Sequence, residues 1–153
     1  MTDCYVFDID GTIADLSHRL HHISEEFDDH GMKRKKDWNA FFAEVHKDAP
    51  IPHIIELARA LALSSRVIYV SGRSDECRNQ TAHWLDLHKL PDGRLYMRKA
   101  GDHRPDNQVK LDLLKQLRAD GFRPIMAFDD RNQVVHMWRS AGIPCAQVAD
   151  GNF

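Results

Sequence analysis

Two carboxylates follow the first apolar stretch of the sequence. Residues Cys4–Phe7 run directly into Asp8-Ile9-Asp10-Gly11-Thr12. Like charges at the end of a buried strand are unfavourable unless a cation or hydrogen bonds compensate them. Because Mg²⁺ prefers carboxylate oxygens, Asp8 and Asp10 are candidate ligands of a magnesium ion. An isolated Asp-x-Asp pair is also compatible with helix capping, although metal binding is favoured.

Groups suited to anion binding lie farther along the chain. Val70-Ser71-Gly72-Arg73 closes a second apolar stretch, and its hydroxyl, its glycine-adjacent amide and the start of the next helix favour phosphate binding. The planar guanidinium of Arg73 can bridge two phosphate oxygens. Lys110, early in a predicted helix, can neutralise a carboxylate or a phosphate. In isolation, Ser-Gly is also a common turn, and most lysines are solvated.

A second acidic pair, Asp129-Asp130, ends another apolar stretch. Neighbouring side chains of a strand point to opposite faces, so one of the two reaches a given metal while the other caps a helix or holds a water ligand. The chain has 18 Asp but only 5 Glu. Because Asp favours caps, turns and metal sites over exposed helix faces, this bias is consistent with a metal site.

Five short apolar stretches predict the strands that position these residues. They are Cys4–Phe7, Val67–Val70, Leu95–Met97, Ile125–Phe128 and Cys145–Val148. Segments with helical spacing separate the later strands. This alternation predicts an α/β fold in three layers, Rossmann-like, with a parallel central sheet covered by helices on both faces. The length of 153 residues favours a single domain, 1–153.

A long segment without a strand signal follows the first acidic pair. Residues 14–50 are predicted to form a small helical insertion, with one helix over 16–27 and a second over 38–45. The insertion leaves the carboxyl end of the first strand, where open α/β sheets bind ligands, so it is a candidate lid. Its aromatic Trp38 either packs beneath it or stacks on a base, and packing is favoured. Its basic run Lys33–Lys36 is interpreted as a solvated loop rather than a nucleic-acid contact.

Together, the four motifs resemble those of the haloacid dehalogenase superfamily of phosphotransferases. Asp8–Thr12 matches the first motif of that superfamily, and Ser71, Lys110 and Asp129-Asp130 match the other three. Nearly the whole chain is also similar to the phosphatase domains of phage polynucleotide kinase/3′-phosphatases. That similarity is carried by Arg19, Val70–Arg73, Gly101–Lys110 and Phe128–Arg139, and it is weakest in the insertion.

The resemblance implies a Mg²⁺-dependent phosphomonoesterase that works through an aspartyl-phosphate. Asp8 would be the nucleophile, and Asp10 would protonate the leaving oxygen and then activate water. Asp8, the main-chain carbonyl of Asp10 and Asp130 would hold the metal, with Asp130 favoured over Asp129. Substrate and phosphate would be bound by six residues: Arg19 (reaching the phosphate from the insertion), Ser71, Gly72, Arg73, Asp106 and Lys110.

The substrate implied is a phosphorylated polynucleotide end, specifically a 3′-phosphate. The alternative is a 5′(3′)-nucleotidase or another small-molecule phosphatase of the same superfamily. The chain has no G-x-x-x-x-G-K-[S/T] motif, so a kinase function is expected to belong to a separate kinase or ligase partner, if there is one. A non-catalytic receiver domain is disfavoured, because the third predicted strand ends in Leu95-Tyr96-Met97-Arg98, without a phospho-accepting carboxylate.

Composition narrows the protein class further. The formal net charge is −2, and no apolar run approaches the ~20 residues of a membrane span. The first residues lack the features of a secretory signal. Three cysteines without metal-ligand spacing favour reduced thiols. These features predict a cytoplasmic protein that does not contact a membrane.

Overall fold

A five-stranded parallel sheet forms the centre of the molecule. The computed structural model describes residues 1–153. Its sheet contains β1 (Thr2–Phe7), β4 (Arg66–Ser74), β5 (Leu95–Arg98), β6 (Phe122–Asp129) and β7 (Cys145–Gln147). Their order is β5-β4-β1-β6-β7, and every neighbouring pair is parallel. The strand β1, which leads into Asp8, is therefore central, and β6, which ends in Asp129, is its direct neighbour.

Four helices cover the two faces of this sheet, as the sequence predicts. They are α2 (Pro52–Ala62), α3 (Arg78–Leu87), α4 (Asp106–Ala119) and α5 (Asn132–Ser140). One core contains Val6, Leu114 and Trp138, and the other contains Phe7 and Trp84. Val6 and Phe7 alternate between the two cores because successive strand residues point to opposite faces. The predicted three-layer α/β fold is confirmed.

The insertion is tied at its base by a short antiparallel ribbon. In this ribbon β2 (Ala14–Asp15) pairs with β3 (Ala49–Pro50). Between them lie a 3₁₀ helix over 17–22, the helix α1 (Trp38–Ala43) and a second 3₁₀ turn over 45–47. The helix α1 begins where the Asp37 carboxylate accepts a hydrogen bond from the Ala40 amide. This helix satisfies the prediction for 38–45, although it is shorter than predicted.

The predicted inserted helix over 16–27 is wrong beyond the 3₁₀ turn. Two residues of its apolar spacing, Leu20 and Phe27, are 44% and 66% exposed, so the spacing does not mark a buried face. Farther along, the Asp28 carboxylate accepts hydrogen bonds from the amides of His30 and Met32 and folds that segment into a loop. Local side-chain hydrogen bonding of this kind competes with the helix.

Strand β4 is longer than predicted and includes Ser71, Gly72 and Arg73. A 3₁₀ turn over 75–77 follows it, and α3 begins only at Arg78. The expectation that a helix N-terminus lies directly after Ser71–Arg73 is therefore wrong. Separately, none of the helices combines the length and the apolar character needed to cross a membrane.

Candidate active site

Three carboxylates and one ammonium group meet where β1 and β6 end. The Lys110 Nζ lies 2.7 Å from Asp8 Oδ1 and 2.9 Å from Asp129 Oδ2. Carboxylate oxygens of Asp8, Asp129 and Asp130 lie within 4.8 Å of one another, and all three residues are buried. We call these four residues the acidic cluster. Adjacent parallel strands and the first turns of α4 thus bring together three of the four sequence motifs.

Two residues of the first motif shape the space around Asp8. Thr12 Oγ1 donates a hydrogen bond of 3.1 Å to Asp8 Oδ2, so each oxygen of the Asp8 carboxylate has a donor. Gly11 has a φ of +79°, a left-handed conformation that glycine adopts without strain. A Cβ at Gly11 would lie 2.1 Å from Asp130 Oδ2, so only glycine lets the two acidic loops approach this closely.

The two acids at the end of β6 have different surroundings. Asp129 Oδ1 accepts from the Asp130 amide, while its Oδ2 accepts from Lys110 and from the Trp138 indole. The Asp130 carboxylate, in contrast, has no ammonium, guanidinium or hydroxyl partner. Asp130 therefore has free oxygen lone pairs that a cation can use. This difference supports the predicted preference for Asp130 over Asp129 as a direct metal ligand.

Burial and like charge make the acidic cluster unfavourable without a cation. Burial, followed by the Asp129 charge, raises the pKa of Asp8 well above its ordinary value. The same two causes raise the pKa of Asp130 to about 6. Burial alone would lower the pKa of Lys110, but the carboxylates of Asp129, Asp8 and Asp106 outweigh it and raise that pKa. Lys110 is thus charged, and the three carboxylates of the acidic cluster outnumber its single ammonium group.

The donor set of the acidic cluster fits a hard divalent ion. Mg²⁺ takes oxygen ligands and keeps several waters, so it needs only one or two carboxylates. The unpartnered carboxylate of Asp130 and the carboxylate of Asp8, from the first motif, provide them. The three acids lie close enough to share one ion. The residues therefore fit the predicted cofactor.

Asp10 belongs to a second, separate set of charges. Its Oδ1 accepts hydrogen bonds from Arg19 Nη2 (2.8 Å) and from Arg73 Nε and Nη2 (3.0 and 2.7 Å). Both guanidiniums also donate to Asp48: Arg19 at 2.8 Å from two nitrogens, and Arg73 at 2.8 Å from Nη2. We call Asp10, Arg19, Arg73 and Asp48 the guanidinium network.

This network fixes the ionic state of Asp10. Burial favours the neutral carboxyl, but Arg73 and Arg19 outweigh it and lower the pKa of Asp10 below its ordinary value. About a quarter of the Asp10 side chain stays exposed, whereas both arginines and Asp48 are completely buried. Asp10 is therefore the member of the network that faces the reaction space.

Both predicted phosphate-binding arginines pair with carboxylates of the protein. The fork of Arg73, predicted to bind phosphate, is occupied by the Asp10 and Asp48 carboxylates, and its Nη1 donates to Thr81 Oγ1. Arg19 is buried, and its guanidinium lies 4.2 Å from the centroid of the Phe41 ring. Its Nη1 has no hydrogen-bond partner. The role of Arg19 in phosphate binding stays a prediction.

Sequence reasoning missed Asp48 altogether. This residue lies in a polar stretch, Lys47-Asp48-Ala49-Pro50, without a recognisable motif. It is buried because the insertion folds back on the body, where Trp84 Nε1 donates to its main-chain oxygen at 2.8 Å. Its side chain also contacts His18 Nε2 at 2.7 Å. No local signal indicated this, since every partner is distant in sequence.

The remaining predicted site residues lie in the last part of β4 and at the start of α4. Ser71 is buried, and its Oγ accepts a hydrogen bond from the Arg73 amide, which leaves its hydroxyl hydrogen free to donate. A Cβ at Gly72 would lie 2.0 Å from Asp106 Oδ1, so this glycine lets Asp106 approach β4. Asp106 Oδ2 lies 3.8 Å from Lys110 Nζ, and its Oδ1 lies 3.5 Å from Arg98 Nη2 but has no hydrogen-bond partner.

The fold and this site define a phosphatase of the haloacid dehalogenase type. A family model described as the phosphatase domain of polynucleotide kinase PNKP matches residues 2–153. The chain belongs to this family. A viral protein, a candidate bifunctional polynucleotide kinase/RNA ligase of Autographa californica nuclear polyhedrosis virus, is 33% identical over 79 residues. The match covers 51% of this chain and 11% of the viral protein.

Solved structures agree with the family assignment. A chain of the Pnkp1/Rnl/Hen1 complex superposes with a TM-score of 0.82 at 26% identity, over 100% of this chain and 47% of that one. A haloacid dehalogenase-like hydrolase of Streptococcus pneumoniae has a TM-score of 0.65 at 17% identity, over 96% and 84% of the two chains, and shows the fold alone. This chain thus spans about half of the Pnkp1/Rnl/Hen1 chain and a small part of the viral protein.

Proposed function

We propose that the protein is a Mg²⁺-dependent phosphomonoesterase that removes the 3′-phosphate from a polynucleotide end through an aspartyl-phosphate intermediate. The observation that carries this proposal is the position of Asp8. Its carboxylate is oriented by Lys110 and Thr12, next to an acid pair with excess negative charge. Membership in a family of polynucleotide kinase phosphatase domains supports the substrate class.

The first step is attack by Asp8 on phosphorus. An oxygen of Asp8 forms the new P–O bond while the ester oxygen of the substrate leaves, and a proton from Asp10 completes the alcohol product. Mg²⁺, held by Asp8, the main-chain carbonyl of Asp10 and Asp130, would supply charge neutralisation for the transferring phosphoryl group. Lys110 and Ser71 would donate to phosphate oxygens, which suits a reaction that depends mainly on positioning and charge stabilisation.

The second step releases phosphate from Asp8. Asp10 takes a proton from water, the hydroxide oxygen bonds to phosphorus, and the bond between phosphorus and Asp8 breaks. The guanidinium network favours the ionised form of Asp10, which is the form that accepts this proton. Asp10 then carries the proton needed for the next leaving group. The network thereby holds one carboxylate at one place for both transfers.

Free nucleotides are the second candidate substrate class. The site itself binds a phosphate monoester, and its motifs are shared with small-molecule phosphatases of the superfamily. A separate kinase or ligase that prepares or joins the ends is a plausible partner. That view rests on the similarity to a chain of the Pnkp1/Rnl/Hen1 complex and to the viral polynucleotide kinase/RNA ligase. Cytoplasmic location remains a prediction from composition.

A substrate comparison tests the proposed function. Phosphate release is measured in Mg²⁺ and in EDTA, with a 3′-phosphorylated oligonucleotide, the matching 5′-phosphorylated oligonucleotide and nucleoside monophosphates. We expect Mg²⁺-dependent release with the highest kcat/KM on the 3′-phosphorylated oligonucleotide. Turnover of monophosphates without release from the oligonucleotide would contradict the polynucleotide assignment and favour a nucleotidase. Activity that persists in EDTA would contradict the metal requirement.

A further inference from the structure

An open cleft extends from the active site to the insertion. It has a volume of about 420 Å³ and runs between α1 and the loop that joins β5 to α4. Gly72, Asp106 and Arg131 line the part near the acidic cluster. Asp106 Oδ2 lies 3.8 Å from Lys110 Nζ, and Arg131 follows Asp130 in the sequence. The other end is lined by Lys36 and Trp38 of the insertion. A chain bound at the active site can therefore continue into this cleft.

The walls of the cleft have more positive than negative charge. Five Lys and Arg residues line it, against three Asp and Glu residues. The arginines on the body side are held in place: Arg98 donates to the main-chain oxygens of Gly72 and Arg104, and Arg104 pairs with Asp102. The lysines, Lys36 on the insertion and Lys99 on the body, have no ion-pair partner. Both residues line the cleft, and their ammonium groups remain available for an anion.

Trp38 adds an aromatic surface at the far end of the cleft. Its ring stacks on Phe42 at 5.9 Å and meets Phe41 edge-on, which fixes its orientation. The residue is nevertheless 47% exposed, so the expected packing beneath the insertion covers only part of the ring. Lys36 Nζ lies 5.9 Å from its centroid. A supported, half-open indole with free cations nearby is the combination that single-stranded nucleic acids use for stacking and backbone contacts.

We infer that this cleft binds the nucleotides that precede the terminal phosphate, with a base stacked on Trp38 and phosphodiesters paired with Lys36 and Lys99. The inference rests on the proposed function, and it deepens it by assigning the strand-binding surface. On this assignment a small phosphate ester occupies the phosphate site and leaves Trp38 and the two lysines uncontacted. The indole and the two lysines thus affect polynucleotide substrates selectively.

Kinetics with variants of the cleft test this inference. Trp38→Leu keeps an apolar side chain against Phe42 but removes the stacking ring. We expect it to raise KM for a short 3′-phosphorylated oligonucleotide by roughly 10-fold, because stacking of one base contributes about 1–3 kcal/mol. Its kcat on that substrate, and its kcat/KM on a nucleoside 3′-monophosphate, should be unchanged. Trp38→Phe should restore most of the affinity.

The matched control is Phe27→Leu. Phe27 is an exposed aromatic residue of the same insertion that does not line the cleft, so its replacement should leave both substrates unaffected. For Lys99→Ala we expect weaker oligonucleotide binding and a shallower salt dependence, by about 0.7 in the slope of log K against log salt, as for one lost single-strand phosphate contact. An equal loss on both substrates, or no loss on the oligonucleotide, would overturn the inference.

Binding can be followed independently of turnover. Trp84 and Trp138 are each only 1% exposed, so quenching of tryptophan fluorescence by an unphosphorylated oligonucleotide reports on Trp38. We expect quenching in the wild type and none in Trp38→Leu. Quenching without phosphate release from the 3′-phosphorylated oligonucleotide would contradict the proposed function and leave the strand site supported. Phosphate release without fluorescence quenching, and with no effect of Trp38→Leu on KM, would overturn the proposed strand site. It would leave the proposed phosphatase function supported.

Discussion

The acidic cluster and the guanidinium network lie side by side but differ in charge balance. The acidic cluster has three carboxylates and one ammonium group, whereas the guanidinium network has two carboxylates and two guanidiniums. The first is therefore incomplete without a cation, and the second is complete within the protein. The acidic cluster is therefore the part of the site that binds a cation, and the guanidinium network is the part that fixes the position of the Asp10 carboxylate.

Opposite effects of two similar substitutions would test this contrast most directly. Asp8→Asn removes the nucleophile, and we expect phosphate release to fall by roughly 10⁴-fold or more. Because it also removes a repulsive charge, the Tm without metal should stay the same or rise. Asp10→Asn should likewise impair turnover, but it should lower Tm, because it leaves two buried guanidiniums with a single carboxylate.

The measurements are phosphate release and thermal unfolding in EDTA. A suitable control is Asp3→Asn, since Asp3 lies at the other end of β1 in an exposed ion pair with Arg123. That variant should keep wild-type activity. If Asp8→Asn retained activity, Asp8 would not be the nucleophile, and if both site variants lowered Tm equally, the contrast in charge balance would be wrong.

Asp48→Asn should have the next largest effect. The substitution removes the charge that pairs with both Arg19 and Arg73 in a buried position. Breaking such a pair destabilises by about 3 kcal/mol or more, which lowers Tm by roughly 6–12 °C in a domain of this size. The kcat should fall as well, since the arginines that orient Asp10 lose their second anchor.

Thermal unfolding and single-turnover kinetics measure the two effects of Asp48→Asn. Glu25→Gln is the matched control, because Glu25 lies in the same insertion and forms an exposed pair with Lys33. Its loss should leave Tm and kcat nearly unchanged, because exposed ion pairs contribute little to stability. An equally small change for Asp48→Asn would show that the network does not depend on it.

A pH-dependent response to Mg²⁺ is expected from the acidic cluster. Burial raises the pKa of Asp130 to about 6 in the folded protein, above the value of an unfolded Asp near about 3.9. The folded state without metal therefore binds protons more tightly, so this contribution to stability is present below about pH 4 and is lost as pH rises through about 6.

Mg²⁺ should offset that loss. The increase in Tm on adding Mg²⁺ should thus be small near about pH 5 and several degrees near about pH 7.5. Differential scanning fluorimetry across this range measures it, and Asp130→Asn should remove most of the increase. An increase in Tm that is independent of pH would contradict the assignment of excess charge to this cluster.

The smallest predicted effect concerns the orientation of Asp8. Thr12→Val keeps the shape of the side chain but removes the hydroxyl that donates to Asp8 Oδ2. One hydrogen bond to a charged group contributes about 1.5–3 kcal/mol at most, so kcat should fall about 10-fold while KM stays nearly constant. Thr12→Ser should retain most of the rate. A variant Thr12→Val with full activity would show that Lys110 alone orients the nucleophile.

The sequence was most informative where function lies in short segments at strand ends. Asp8 and Asp129-Asp130 meet because β1 and β6 are parallel neighbours, and Lys110 reaches them from α4. The alternating apolar stretches predict the parallel sheet, although not the order of its strands. Asp48 could not be found in this way, because its burial depends on the docking of the insertion on α3. The prediction of a helix over 16–27 was wrong for a related reason. Its apolar spacing fits a helix, but no core lies against Leu20 or Phe27.

The shared anchoring of Arg19 and Asp48 also has a kinetic consequence. These two residues belong to the insertion, and they pair with Asp10 and Arg73 of the body. Lifting the insertion away would break the Arg19–Asp10 and Arg73–Asp48 pairs, while Asp10–Arg73 and Arg19–Asp48 would stay paired. Separating buried charge pairs is unfavourable, so we expect the insertion to stay closed during turnover. We then expect substrate to enter and product to leave through the open cleft beside Trp38.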